Sequence, residues 1–111
     1  MNSNEMKACI DACLACYQTC IGRASTHCLE AGGEHTEPAH FRTMLACAEI
    51  CRTCAHIMLL RTPLHQAVCQ ACAEICEACS KSCEDLDDME ECVAACDLCA
   101  ATCREMQLSH E

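Results

Sequence analysis

Residues 9–20 read Cys9-Ile10-Asp11-Ala12-Cys13-Leu14-Ala15-Cys16-Tyr17-Gln18-Thr19-Cys20, a C-x3-C-x2-C-x3-C run. An α-helix turns once in about 3.6 residues, so steps of four, three and four put all four thiols on one face. A strand would throw the same side chains onto both faces. No Pro or Gly interrupts the run, and Ala and Leu fill its gaps, as helix propensity favours. Helix is the reading that fits.

The spacing recurs along the chain. Cys72, Cys76, Cys79 and Cys83 repeat it, as do Cys92, Cys96, Cys99 and Cys103. A further copy runs Cys47, Cys51, Cys54 and Met58, with a thioether in place of the last thiol. Cys69 extends the third row by one step, and Cys28 stands off the pattern. Alternating steps of four and three are the a/d spacing of a bundle helix, with thiols where leucines ordinarily sit.

Punctuation between the rows marks four helices. The first is expected from about Asn4 to Leu29, ending before Gly32-Gly33, and the second from Pro38 to about Arg61. Thr62-Pro63 reads as the N-cap and first residue of a third helix lasting to Glu84. Asp87 or Asp88, with Glu90 or Glu91 behind it, reads as the capping box of a fourth. Connections this short join antiparallel neighbours. The fold class is therefore all-α, an antiparallel up-down four-helix bundle with a cysteine-lined core, with residues 1–111 as one domain.

Composition agrees and excludes alternatives. The 111 residues include 17 Cys but one Phe, one Tyr and no Trp, at a net charge of −10. A buried thiol packs as a small hydrophobe, so the rows can serve as the interior. An odd number of cysteines cannot be fully paired within one chain. No apolar signal segment precedes Cys9, so reduced thiols in the cytosol are expected, and no membrane span is visible. Seven scattered basic residues offer no patch for nucleic acid, and there are too few aromatics to stack bases. Neither a glycine-rich phosphate loop nor a nucleophile elbow occurs, so no enzyme is expected.

Four rows of thiols facing inward make a tube with sulfur on every wall. Thiolates select soft ions, chiefly Cu(I), with Zn(II) and iron–sulfur clusters as competitors. A thiol that loses H⁺ and gains Cu⁺ keeps its charge, so a core can fill with Cu(I) without accumulating buried charge. Zinc on four thiolates leaves −2 at each site, and almost no Lys or Arg lies on the cysteine faces to offset it. If each ion takes about two sulfurs and each sulfur bridges about two ions, capacity approaches one Cu(I) per Cys, roughly 15 to 20. Asp11, Glu49, Glu74, Glu77 and Asp97 read as a solvated face rather than as ligands.

Methionine and histidine continue the rows outward. Met6, Met44, Met58, Met89 and Met106 each stand one step beyond a cysteine, as does His65, and His40 stands beyond Met44. An antiparallel bundle gathers Met6, Met58, His65 and Met106 at one end, and His40, Met44 and Met89 at the other, near His27 and Cys28. Met44, Met58, Met89, Met106 and His65 are accordingly candidate ligands, with plugging of the bundle ends as the competing role of the methionines. His35, His56 and His110 are expected at the surface. A second apolar stripe, with Leu64, Val68, Ala71, Ile75 and Ala78 in helix 3 and Ile10, Leu14, Tyr17 and Ile21 in helix 1, is expected to supply the helix–helix contacts, with a subunit interface as a further role.

The repeated C-x3-C-x2-C-x3-C helices, from Cys9 to Cys103, resemble the bacterial four-helix-bundle copper storage proteins in their cytosolic branch. The resemblance implies a bundle preformed without metal, Cu(I)–thiolate clusters inside it, and commonly a homotetramer. It assigns the 15 repeat cysteines as ligands, extends to Cys69, and leaves Cys28 and the site beside Met58 less secure. The alternative function is a redox-responsive or Zn(II)/Cd(II)-binding thiol bundle.

Overall fold

Thiol rows stepping by three and four residues fold as the helices they imply. The computed structural model describes residues 3–108, and every regular element among them is helical. The four long helices are α1 (Ser3–Arg23), α2 (Pro38–Leu59), α3 (His65–Glu84) and α4 (Glu90–Leu108). Each packs against two neighbours, α1 and α3 both lying against α2 and α4. The result is a square bundle measuring 46 × 20 × 20 Å. Cys9 near the start of α1 meets Cys103 near the end of α4, and Cys54 late in α2 meets Cys69 early in α3. Neighbours are therefore antiparallel, as expected from the short connections.

The interior is the thiol rows. All 17 cysteines are buried as free thiols. Alanines such as Ala48, Ala55 and Ala73 fill the gaps, and Tyr17, Ile21, Val68 and Ile75 pack against the outside of this core. The only buried polar residues among those described are His40, His65 and Ser80. Acidic side chains stay outside, where Asp11, Glu49 and Glu77 pair with Lys7, Arg52 and Arg104. Asp97, also exposed, accepts from Ser80 Oγ at 2.6 Å.

Helix ends depart from the sequence reading in four places. The first helix does not stop at Leu29; α1 passes into π-helix over Ala24–Cys28 and closes with a turn at Leu29–Ala31. It ends where Gly32 and Gly33 take φ of 65° and 55°, which glycine adopts without strain. α2 stops two residues short of Arg61, which itself takes a left-handed φ of 59°. Its N-cap is Glu37, whose carboxylate accepts from His40 N–H at 2.9 Å.

Thr62 does accept from Leu64 N–H, at 3.3 Å, but α3 proper begins only at His65. The first turn is tightened into i→i+3 bonds, His65 to Thr62 and Gln66 to Pro63, which leaves Leu64 exposed instead of in the apolar stripe. In α4 the first helical bond runs from Val93 N–H to Met89 C=O, so Met89 holds the place expected of an Asp cap. The backbone of Asp87 and Asp88 does other work. Asp87 C=O lies 3.4 Å from His27 Nε2 and 3.0 Å from His35 Nε2, and Asp88 C=O accepts from Arg23 Nη2. These bonds tie the α3–α4 turn to the π-helical end of α1. They also draw His35 partly inward, against expectation, while His56 is exposed as expected and His110 lies outside the described residues.

Candidate metal centre

Sulfur atoms from all four helices meet along the bundle axis. Cys51 Sγ lies 3.5 Å from Cys76, 3.7 Å from Cys99 and 3.8 Å from Cys72. Cys16 lies 3.8 Å from Cys96 and 3.9 Å from both Cys20 and Cys47. Cys99 comes within 3.6 Å of Cys13, and Cys9 within 3.7 Å of Cys103. A disulfide needs about 2.05 Å, so these are separate thiols in contact. With a metal–sulfur bond of about 2.3 Å, three sulfurs around one ion stand roughly 4 Å apart and two across a linear ion about 4.6 Å. The lattice of thiols is already spaced for metal.

The sets are linked. Cys9, Cys69 and Cys103 form one group, and Cys103 belongs also to a second, with Cys13, Cys72 and Cys99. Cys99 joins that group to Cys16, Cys51 and Cys76, and Cys16 leads on to Cys20, Cys47 and Cys96. Within each set the sulfurs lie within 4.8 Å of one another. A sulfur shared between two sets is placed to bridge two ions, and such sharing joins sets that would otherwise be isolated. Cys54 attaches to this chain through Cys69, at 3.7 Å.

Proton sharing follows the same contacts. Cys16 is held below the usual thiol range by its hydrogen bond with Cys20, and the same bond pushes Cys20 up. Cys54 is drawn down to about 6, first by Cys103, while Cys83 is pushed up to about 12 by Cys79 and by burial. Burial also raises Cys28. An S–H pointing at a neighbouring sulfur stabilises a thiolate there, whereas a thiolate without such a donor is penalised by the dry interior. The first proton therefore leaves where neighbours can donate. A monovalent cation taking its place restores neutrality.

Cys28 is the residue whose place the sequence leaves open. It is fully buried, with Met44 Sδ at 3.7 Å and Met89 Sδ at 3.9 Å. The π-helical segment explains it. Cys20 and Cys28 are eight residues apart where the pattern asks for seven, and the wider π turn absorbs the extra residue. A seven-plus-one separation was the available signal. His40 lies at this same end, buried, with Nδ1 2.6 Å from Ser82 Oγ and Nε2 without a partner. Burial holds its pKa below the usual imidazole range.

The opposite end gathers Met6, Met58, His65 and Met106, all buried, as the antiparallel register requires. Arg61 Nη1 donates to Met6 Sδ across that mouth. Neither Arg61 nor Ser82 was a sequence candidate, because both lie off the rows and reach in from their sides.

A family model described as copper storage protein matches residues 2–108. The chain belongs to the copper storage protein family. Its linked thiol sets are the Cu(I)-binding core of that family's four-helix bundle, with room for multiple ions. Among solved structures, that of the Nmul_A1745 protein from Nitrosospira multiformis is 52% identical, with a TM-score of 0.96 over 98% of this chain and 100% of that one. The Cu(I)-bound copper storage protein BsCsp3 is 36% identical, with a TM-score of 0.83 over 93% of this chain and 98% of that one. A Bacillus subtilis protein described as the uncharacterized cysteine-rich protein YhjQ is 37% identical over 89 residues, 78% of this chain and 82% of the relative. As a family member, the chain has a copper-storage role.

Proposed function

We propose that this chain is a cytoplasmic Cu(I) buffer that loads its whole interior, about one ion per cysteine. The observation that carries the reading is the unbroken chain of thiol contacts at 3.5–4.0 Å, joining all four helices along the axis. The ligands are the repeat cysteines together with Cys69 and Cys28, and Met44 and Met89 assist Cys28 at its end of the tube. Residues 1–111 act as one domain without a catalytic step. A homotetramer is the working assembly, and the exposed Leu14, Leu45 and Leu98 supply apolar area for it. No described helix is long and apolar enough to cross a membrane.

The test is an anaerobic Cu(I) titration of reduced protein against a high-affinity chromogenic chelator, with circular dichroism at each step. Uptake near one ion per cysteine with unchanged helicity is the expected result. Saturation at about one to four ions, or helicity that appears only with Zn(II), contradicts it and points to a thiol-sensing bundle.

A further inference from the structure

The end of the tube where α2 turns into α3 holds a feature that thiol storage leaves unexplained. His65 is only 2% exposed and stands four residues ahead of Cys69, on the same face of α3. Its Nδ1 lies 2.8 Å from the carbonyl oxygen of Thr62. A carbonyl only accepts, so Nδ1 carries the proton and Nε2 keeps a free lone pair. That Nε2 is buried and has no hydrogen-bond partner. A ring oriented by a backbone carbonyl through one nitrogen, with the other nitrogen bare, is arranged as metal-ligating histidines are.

Soft donors share its end of the bundle by register. Met58 and Met106 are buried and continue the thiol rows of α2 and α4 at this end. Just inside lie Cys9, Cys69 and Cys103. Met6 is differently engaged, because Arg61 donates to its sulfur. His40, at the far end, faces a hydroxyl that both donates and accepts, so its partner does not fix the tautomer. The two ends are thus not equivalent.

We infer that His65 Nε2, with the thioethers of Met58 and Met106, forms a terminal Cu(I) site distinct in donor type from the thiolate sets. The inference rests on reading the chain as a Cu(I) store and adds a site of neutral donors to it. Thioether sulfur favours Cu(I) over Zn(II) and harder cations. No proton is displaced when the ion binds, so it keeps its positive charge close to the Arg61 guanidinium. The site accordingly holds one ion, more weakly than the thiolates, and fills last.

The test is an anaerobic Cu(I) titration of reduced, ¹⁵N-labelled protein, reading imidazole nitrogens by long-range ¹H–¹⁵N correlation and bound copper by chelator competition. His65 Nε2 should begin at an unprotonated position and move only in the last equivalents. His65→Gln should bind about one ion fewer with unchanged helicity. Met106→Leu, a swap that conserves core volume, should weaken the last ion at least about tenfold and keep the fold if His65→Gln does not. Near-full loading with His65 Nε2 unmoved overturns the terminal site and leaves storage standing. Saturation at about one to four ions overturns storage and the site with it. A shift produced by Zn(II) as readily as by Cu(I), or an unchanged last ion in Met106→Leu, overturns the donor assignment.

Discussion

The middle of the tube and its ends are built from the same helical register but present different donors. In the middle, every step of every row is a thiol, and sulfurs such as those of Cys16, Cys99 and Cys103 are shared between neighbouring sets. At the ends the next step is a thioether or an imidazole, as at Met44, Met89, Met58, Met106 and His65. A thiol exchanges H⁺ for Cu⁺ and stays neutral, so the middle can fill without limit from charge. A neutral donor retains the cation's charge in a dry place, so an end can hold few ions. On the reading proposed above, capacity belongs to the middle and the ends add few ions.

The largest effect should come from breaking the middle. Replacing Cys16, Cys51, Cys76 and Cys99 together by Ala removes one whole set, including Cys16 and Cys99 that it shares with its neighbours, and should lower Cu(I) capacity by at least about four ions. Circular dichroism should still report the bundle, although each truncation leaves a small cavity. Undiminished capacity in that variant would show that these thiols are not ligands. Next in size is the proton count. In weakly buffered solution the first equivalents should each release about one proton, and the last ones almost none. A constant ratio to saturation would erase the distinction between middle and ends.

A smaller change is expected from Met44→Leu combined with Met89→Leu. Volume is nearly conserved, so each swap should cost less than about 1.5 kcal/mol of stability. Capacity should drop by no more than about one ion, while transfer to a chelator, followed by stopped-flow absorbance, changes in rate. The smallest effect is expected from deleting Ser25, an exposed residue of the π-helical segment. The deletion lets α1 run as regular α-helix with Cys28 still facing inward, so copper capacity should be unchanged by the same titration. Loss of the ion at Cys28 would mean that the π geometry itself shapes that site.

Much of this was legible in the residue spacing. Rows such as Cys9, Cys13, Cys16 and Cys20 specify a helix and its buried face together, because the residue that packs is also the residue that binds. The antiparallel register alone places Met6, Met58, His65 and Met106 at one end. Local energetics that spacing does not encode were hidden. The π turn that buries Cys28 depends on one extra residue, and the delayed start of α3 depends on Thr62 and Pro63 closing a tighter turn. Met89 stands at the N-cap of α4 because its side chain is needed inside, against the preference of that position for Asp. The settings of the His40 and His65 rings were equally invisible, since their hydrogen-bond partners are Ser82 and Thr62 on neighbouring segments, and only the Thr62 carbonyl fixes a tautomer.

The most direct test is anomalous diffraction at the copper edge from crystals of the reduced chain loaded to saturation. The account predicts a row of copper peaks along the bundle axis, running from the Cys9, Cys69 and Cys103 set to Cys28, with sulfur as nearly every ligand. Peaks confined to surface carboxylates, or to the two ends with an empty middle, would contradict it.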